Sequence, residues 1–360
     1  MKKINTLSLA LTYAGCFLGA GYVSGQELFS FFASYGKRGI ASFIFAIILH
    51  IFFGIILLLI VSNTGKTRMD EVVVPVNSYI MKNAVGFLTV FFMYGVFITM
   101  TAGFGALVRD IFGIPPYISN LVFCVVICIL ATKGMDALVK VFSLLVPILV
   151  AVSVFISILA VIEGGKIPEI KTFSARNTGL ISSNAFLSGV TYVSYNLLSS
   201  IGVLIPLGKR VVSRKTVFSG ITVGSLMLSA IGLGLIFAMF SFPDSFNEEL
   251  PMLYVSRRIA PVLSYVYAFL LFCGIFGTSL STVVGVTEYL GTKFSSLNKK
   301  RTLIIIISCA VSYTASLAGF SDLISTVYPL FGYMGFVVLL FIIICFIKSE
   351  RMKNKASVDT

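Results

Sequence analysis

Apolar residues gather along this chain into ten blocks, at 7–33, 39–62, 84–108, 116–132, 137–162, 182–207, 216–241, 261–290, 302–320 and 323–347, separated by short stretches where Lys, Arg, Asp, Glu, Gly and Pro collect. A bilayer core needs roughly 20 consecutive apolar residues in helical form. Each block therefore predicts a membrane-spanning helix, and together they predict an all-α polytopic protein of ten transmembrane helices. Two blocks are interrupted by polar residues in the same register. Gly19 to Ser30 reads GAGYVSGQELFS, and 170 positions later Gly189 to Ser200 reads GVTYVSYNLLSS. Both copies place Gly, Ser and amide side chains at mid-membrane depth, where they weaken a helix.

Composition agrees with the pattern: of 360 residues, 58% are hydrophobic and 11% charged. The net charge of +13 does not indicate nucleic acid, because the basic residues lie in clusters between apolar blocks, as the positive-inside rule requires. With the amino terminus inside, the inner segments carry 19 of the 27 Lys and Arg, so both termini are expected in the cytoplasm. The first block then runs outward and the sixth inward. The chain is expected to divide into two five-helix units of opposite topology, 1–165 and 178–347, with an outer linker at 166–177 and a basic cytoplasmic tail at 348–360. The segment Ser241 to Pro261 alternates charged and apolar residues and is expected as an amphipathic helix over the outer mouth, or as a plain loop.

The six cysteines sit inside apolar blocks without ligand spacing and read as small core residues. The lone histidine, His50, has no partner residue for a metal site and reads as packing. There is no nucleotide loop, nucleophile–base pair or zinc pattern, so neither an ATP-driven pump nor an enzyme is indicated, and no cofactor is expected. A start that imitates a lipoprotein signal is set aside, since Tyr13 stands where Leu is wanted and the apolar block continues to Ala33.

Paired interruptions in an inverted duplication are where secondary transporters hold substrate and ion. The inverted five-plus-five pattern and the GAGYVSGQE motif resemble the amino acid–polyamine–organocation superfamily with its LeuT-like fold, and within it the YkvI-type bacterial membrane proteins. That resemblance implies broken helices 1 and 6, unwound at Gly19 to Gly25 and at Gly189 to Asn196. Gly19, Gly21, Tyr22, Ser24, Gly25 and Gln26 from the first copy, and Tyr192, Ser194, Tyr195 and Asn196 from the second, would face a substrate, with Tyr94 from helix 3. The alternative is that the glycines only let helices pack closely.

The resemblance further implies a sodium site built from carbonyls of the first break, at Ala20 and Val23, with hydroxyls of helix 8. Thr278, Ser279, Ser281 and Thr282 stand there, and either Thr278 with Ser281 and Thr282, or Thr278 with Ser279, can complete an oxygen shell. These hydroxyls can equally bond back to their own helix. Glu27 is the sharpest residue, since a carboxylate in hydrocarbon costs about 2.5–3.5 kcal/mol on insertion scales. It can carry a coupling proton, pair a substrate amine, or hold backbone freed by the break. The expected activity is an ion-coupled symporter in the cell membrane for a small organic solute such as an amino acid or related amine. The rival is a sensor or scaffold that reuses the fold.

Overall fold

The computed structural model describes residues 4–66, 68–164, 170–172, 182–211 and 213–358; the side chains at 134–138, 298, 321–322, 324–327 and 354–358 lie outside that description, as does most of the expected linker at 166–177. The first apolar block forms three pieces, α1 (Thr6–Gly15), α2 (Ala20–Ser24) and α3 (Gln26–Phe31). Next come α4 (Lys37–Thr64), the short α5 (Met69–Val73), α6 (Tyr79–Phe112), α7 (Pro116–Ala131) and α8 (Gly134–Glu163). The second half holds α9 (Ala185–Gly208), α10 (Arg214–Ser241), α11 (Pro251–Ile259), α12 (Pro261–Lys293), the single turn α13 (Ser295–Asn298), α14 (Arg301–Ser316) and α15 (Phe320–Val358).

Seven of these helices are long and apolar enough to cross a membrane among the described residues. The expectation of ten meets shorter elements at the other three blocks. At 16 residues each, α7 and α14 fall below the usual span, and the first block is divided. Local chemistry explains several boundaries. Asn5 caps α1 by accepting from the Ser8 amide at 2.8 Å, and Asn184 caps α9 through the amides of Phe186 and Leu187 at 2.9 and 3.1 Å.

The helices pack in two groups. In one, α1 lies on α10, α4 on α9 and α10 on α4; in the other, α6, α7, α12 and α14 pack mutually, while α8 and α15 bridge the groups. The second group is joined by side chains as well as by apolar contact. Ser308, Ser312 and Ser316 recur at a spacing of four on α14, and they bond Tyr94 (2.7 Å), Thr101 (2.7 Å) and Asn120 (2.9 Å) respectively. Such hydroxyl contacts suit a low-dielectric interior, where unpaired polar atoms are costly. All six cysteines are free, and five of them are buried.

Candidate functional site

The first helix is broken, though at a different place from the expected run of Gly19 to Gly25. After Gly15 the α-helical pattern lapses across Cys16–Gly19, resumes for one turn in α2, and is interrupted again at Gly25, whose φ of 85° is left-handed. Ala20 to Ser24 are helical, contrary to the expectation, because the Val23 amide recovers a helical bond to the Gly19 carbonyl at 3.0 Å. Ser24 serves the second interruption as its chemistry suggests. Its hydroxyl donates to the Gly21 carbonyl (3.2 Å) and accepts from the Gln26 amide (3.2 Å).

The second copy is not broken at all. Helix α9 continues through Gly189 to Asn196, which corrects the expectation of an unwound sixth helix. Two of its polar residues bond their own helix instead, Thr191 to the Leu187 carbonyl at 2.8 Å and Asn196 to the Tyr192 carbonyl at 3.0 Å. Gly189 serves close packing, since a Cβ there would meet the Ser42 hydroxyl at 2.5 Å.

The two copies meet at Glu27. In the first turn of α3, this carboxylate is 4% exposed, and its Oε2 accepts from the Tyr195 hydroxyl at 2.6 Å. Its Oε1 lies so near Gly21 that a Cβ on that residue would stand 2.1 Å away, so the carboxylate has room only beside glycine. Aromatic rings enclose the pair. Tyr195 packs against Phe31, Tyr192 and Tyr328 with centroids 5.4, 5.4 and 4.9 Å apart, and Tyr22 anchors the turn above by donating to the Leu228 carbonyl at 2.6 Å. The ring of His50 packs between Phe17 (4.8 Å) and Tyr192 (5.8 Å), in keeping with a packing role. Tyr94 is engaged elsewhere, with Ser308 on α14. The buried Gln26 Oε1 and Ser194 Oγ have no hydrogen-bond partner among the described residues.

The hydroxyls of α12 sort into two kinds. Ser281 and Thr282 are spent on their own helix, donating to the carbonyl of Thr278 at 2.8 and 3.0 Å. Thr278 Oγ1 and Ser279 Oγ are buried and have no partner among the described residues. Thr278 Oγ1 faces the first interruption, 3.2 Å from where a Cβ on Gly19 would stand, and Gly274 brings α12 close to the Leu18 and Gly19 carbonyls, 2.8 and 3.5 Å from its own Cβ position. Of the expected carbonyl ligands, that of Val23 accepts from the Tyr267 hydroxyl at 2.6 Å; at Ala20 it is the amide that is engaged, donating to the Met100 sulfur at 3.3 Å. The oxygens brought together here are Thr278 Oγ1 and the Leu18 and Gly19 carbonyls, the last already accepting from the Val23 amide, and oxygens of this kind suit a hard monovalent cation. No cluster of three or more His, Cys, Asp or Glu occurs among the described residues.

Two sets of ion pairs escaped the sequence reading, although α11, introduced with the second, is the amphipathic helix expected within Ser241 to Pro261. At the end of the bundle that holds both termini, Asp70 of α5 is fully buried, gripped by Arg68 at 2.7 Å and by Lys293 of α12 at 3.4 Å, while Lys293 also donates to Tyr289 at 2.8 Å. Arg68 donates to both Asp70 oxygens, and this pairing raises the Arg68 pKa. Beside it lies a cavity of about 210 Å³ between α9 and α12, lined by Gly202, Ile205 and Thr292 and flanked by Met69 of α5. At the opposite end, α11 is amphipathic, with Met252, Leu253 and Val255 buried. Its neighbourhood is tied to α6 by Arg109–Glu249 (3.0 Å) and Arg257–Asp110 (2.7 Å). The signals were present as an acidic pair inside an apolar inner loop and as charges flanking the end of the third block.

No protein-family model matches the chain. It is 25% identical over 339 residues to the uncharacterized membrane protein YkvI of Bacillus subtilis, covering 93% of this chain and 94% of that one. Among solved structures, it superimposes on MhsT in complex with L-phenylalanine with a TM-score of 0.69 at 14% identity, over 95% of this chain and 90% of that one. A Na+-coupled sialic acid symporter, in a substrate-bound outward-open state, gives a TM-score of 0.72 at 12% identity, over 94% of this chain and 79% of that one. These likenesses establish the fold, which is that of the LeuT-like transporters.

Proposed function

We propose that the protein is an ion-coupled symporter of the cell membrane for a small organic solute, such as an amino acid or related amine, working by alternating access. The observation that carries this reading is the junction of the two motif copies, where a buried carboxylate beside a broken helix is held by a tyrosine from the opposite half. A charge placed there at such cost is expected to work.

The packing supports an inverted five-plus-five arrangement of ten helices; the boundaries given above and cytoplasmic termini complete the proposal, the latter on the distribution of Lys and Arg. If the fragmented first helix is numbered one, α4 two, α9 six and α10 seven, exchanging the halves turns the α4–α9 contact into α1–α10. The same exchange turns α8–α10 into α15–α4, and α8–α12 into α15–α6; all six contacts occur. One set of contacts therefore serves both halves, as two related units of opposite orientation would require.

In this scheme the solute binds between α2–α3 and α9, against Tyr22, Ser24, Gln26, Tyr192, Ser194, Tyr195 and Asn196. A sodium ion would be held by Thr278, Ser279 and the Leu18–Gly19 carbonyls, and would supply positive charge at the first interruption. Glu27 takes the coupling proton or the amine of the solute, in either case in competition with the Tyr195 hydroxyl. Coupling follows because ion and solute shift the population only towards conformations that they bind better. The Asp70 cluster closes the cytoplasmic side, and α11 the outer side.

The test is uptake of a panel of amino acids and alkylated amines into proteoliposomes under an imposed sodium or proton gradient, for wild type and Glu27→Gln. Gradient-driven accumulation that the variant loses supports the reading. Uptake that ignores both gradients overturns the coupling, and absence of any specific uptake with folded protein favours the scaffold.

A further inference from the structure

At the end holding the termini, a second cavity of about 260 Å³ opens between the end of α4, the loop after α5, the start of α6 and the late turns of α15. Lys66, Lys82 and Lys348 line it, with Glu71, Thr64 and Cys345. Lys66 and Lys82 flank the segment 71–77, and Lys348 reaches the same segment from α15. Lys66 donates to the Glu71 carbonyl (3.3 Å), Lys82 to Asn77 Oδ1 (2.7 Å) and Lys348 to the Pro75 carbonyl (2.8 Å). Surface lysines ordinarily extend into water. Each ammonium donates to a neutral oxygen of the 71–77 segment, which occupies one of its three donors and cancels none of its charge.

The acid in the lining does not balance them. Glu71 is the one carboxylate among the cavity's described lining residues, and it is already shared with Arg68 at 3.3 Å. Met352 in the lining is 60% accessible, and Tyr79 and Ile80, in the turn of α6 that precedes Lys82, are 81% and 78% accessible. In a chain that spans a bilayer, exposed apolar side chains beside a group of ammoniums mark the boundary between hydrocarbon and headgroups. A soluble anion has no use for such side chains, whereas a lipid has both an anionic phosphate and acyl chains.

The geometry points to a binding site for the phosphate of an anionic phospholipid, held by Lys66, Lys82 and Lys348 with its acyl chains along Tyr79, Ile80 and Met352. The site requires only that the chain sits in a membrane, so it stands or falls apart from the transport reading. Because the same loop begins with α5, whose Asp70 grips Lys293, a lipid bound there steadies the segment that closes the neighbouring cavity.

The experiment is thermal unfolding of the purified full chain in neutral detergent at low salt, with added phosphatidylglycerol, phosphatidylcholine or inorganic phosphate. Phosphatidylglycerol is expected to raise Tm, and the other two are not. The shift is expected to vanish in Lys66→Gln/Lys82→Gln/Lys348→Gln and to persist in Lys215→Gln/Lys299→Gln/Lys300→Gln, which removes equal charge elsewhere. Should the first variant not fold, Lys82→Gln and Lys348→Gln singly are each expected to raise the half-saturating lipid concentration roughly fivefold. A cavity variant that responds like wild type, a wild type indifferent to phosphatidylglycerol, or a full shift with inorganic phosphate alone overturns the assignment, the last by making this a site for a free anion.

Discussion

Gly19 to Ser30 and Gly189 to Ser200 share six residues in register and yet fold differently. The first copy is interrupted on both sides of a single helical turn, and the second is an unbroken part of α9. The difference lies in the positions that do not match. Where the first copy has Gly25, in a left-handed conformation, the second has Tyr195, which stays helical; where the first has Glu27, the second has Leu197. These unmatched residues then meet in space, since Tyr195 donates to Glu27. The shared residues give the two motifs a common frame, and the unmatched ones make the polar contact between them.

The sharpest way to break this comparison is to give the first copy the bulk of the second. Gly21→Val places a Cβ on the Glu27 carboxylate and parts it from Tyr195, with an expected loss of about 3–5 kcal/mol, as for a broken buried charged contact. The corresponding Thr191→Val is expected to cost about 1 kcal/mol, the worth of one bond to its own helix. Midpoints of unfolding in sodium dodecyl sulfate compare the two, and equal losses would refute the asymmetry. Next in size, Tyr195→Phe removes the single hydroxyl that bridges the copies, for about 1.5–3 kcal/mol by the same measurement. Gly25→Ala is expected to cost about 1–2 kcal/mol for the left-handed backbone, with the Met239 sulfur also forced to move. A wild-type midpoint in that variant would mean that the interruption does not depend on the glycine.

The smallest effect separates the hydroxyls of α12. Sodium is expected to raise the Tm of the wild type relative to potassium and of Ser281→Ala equally, while Thr278→Ala and Ser279→Ala lose that increment. Retention in all three would remove the ion from this site. Ser281→Ala itself is expected to change stability by no more than about 1 kcal/mol, because its hydroxyl serves only its own helix.

Much of the architecture was readable because hydrophobic length is a local property: the block at 39–62 is α4 and the block at 216–241 is α10, each within two residues at either end. The broken first helix was readable from Gly19 to Gly25, but not where it breaks. That depends on whether an amide can find a helical carbonyl, as Val23 does and as no residue count reveals. The sixth helix misled for a related reason. Ser, Thr and Asn weaken a helix only if their side chains compete for the backbone, and Thr191 and Asn196 bond within α9 without disturbing it. Glu27 stood out as an anomaly in hydrocarbon, whereas its partner Tyr195 was one aromatic among many. Of the Asp70 cluster the acidic pair was visible but its partner was not, since Lys293 lies more than two hundred residues away and only folding brings it near.

Gly25 is seated between two methionines: a Cβ there would stand 2.8 Å from the Met239 sulfur and 3.2 Å from Met252 Cγ, and both side chains are fully buried. Methionine is unbranched, polarizable and turns about three side-chain bonds, so it refills irregular space as its neighbours move. A joint packed by branched side chains would open a void when it flexed. This one turns on a compliant bearing, which allows the angle between α2 and α3 to change while the interior remains filled.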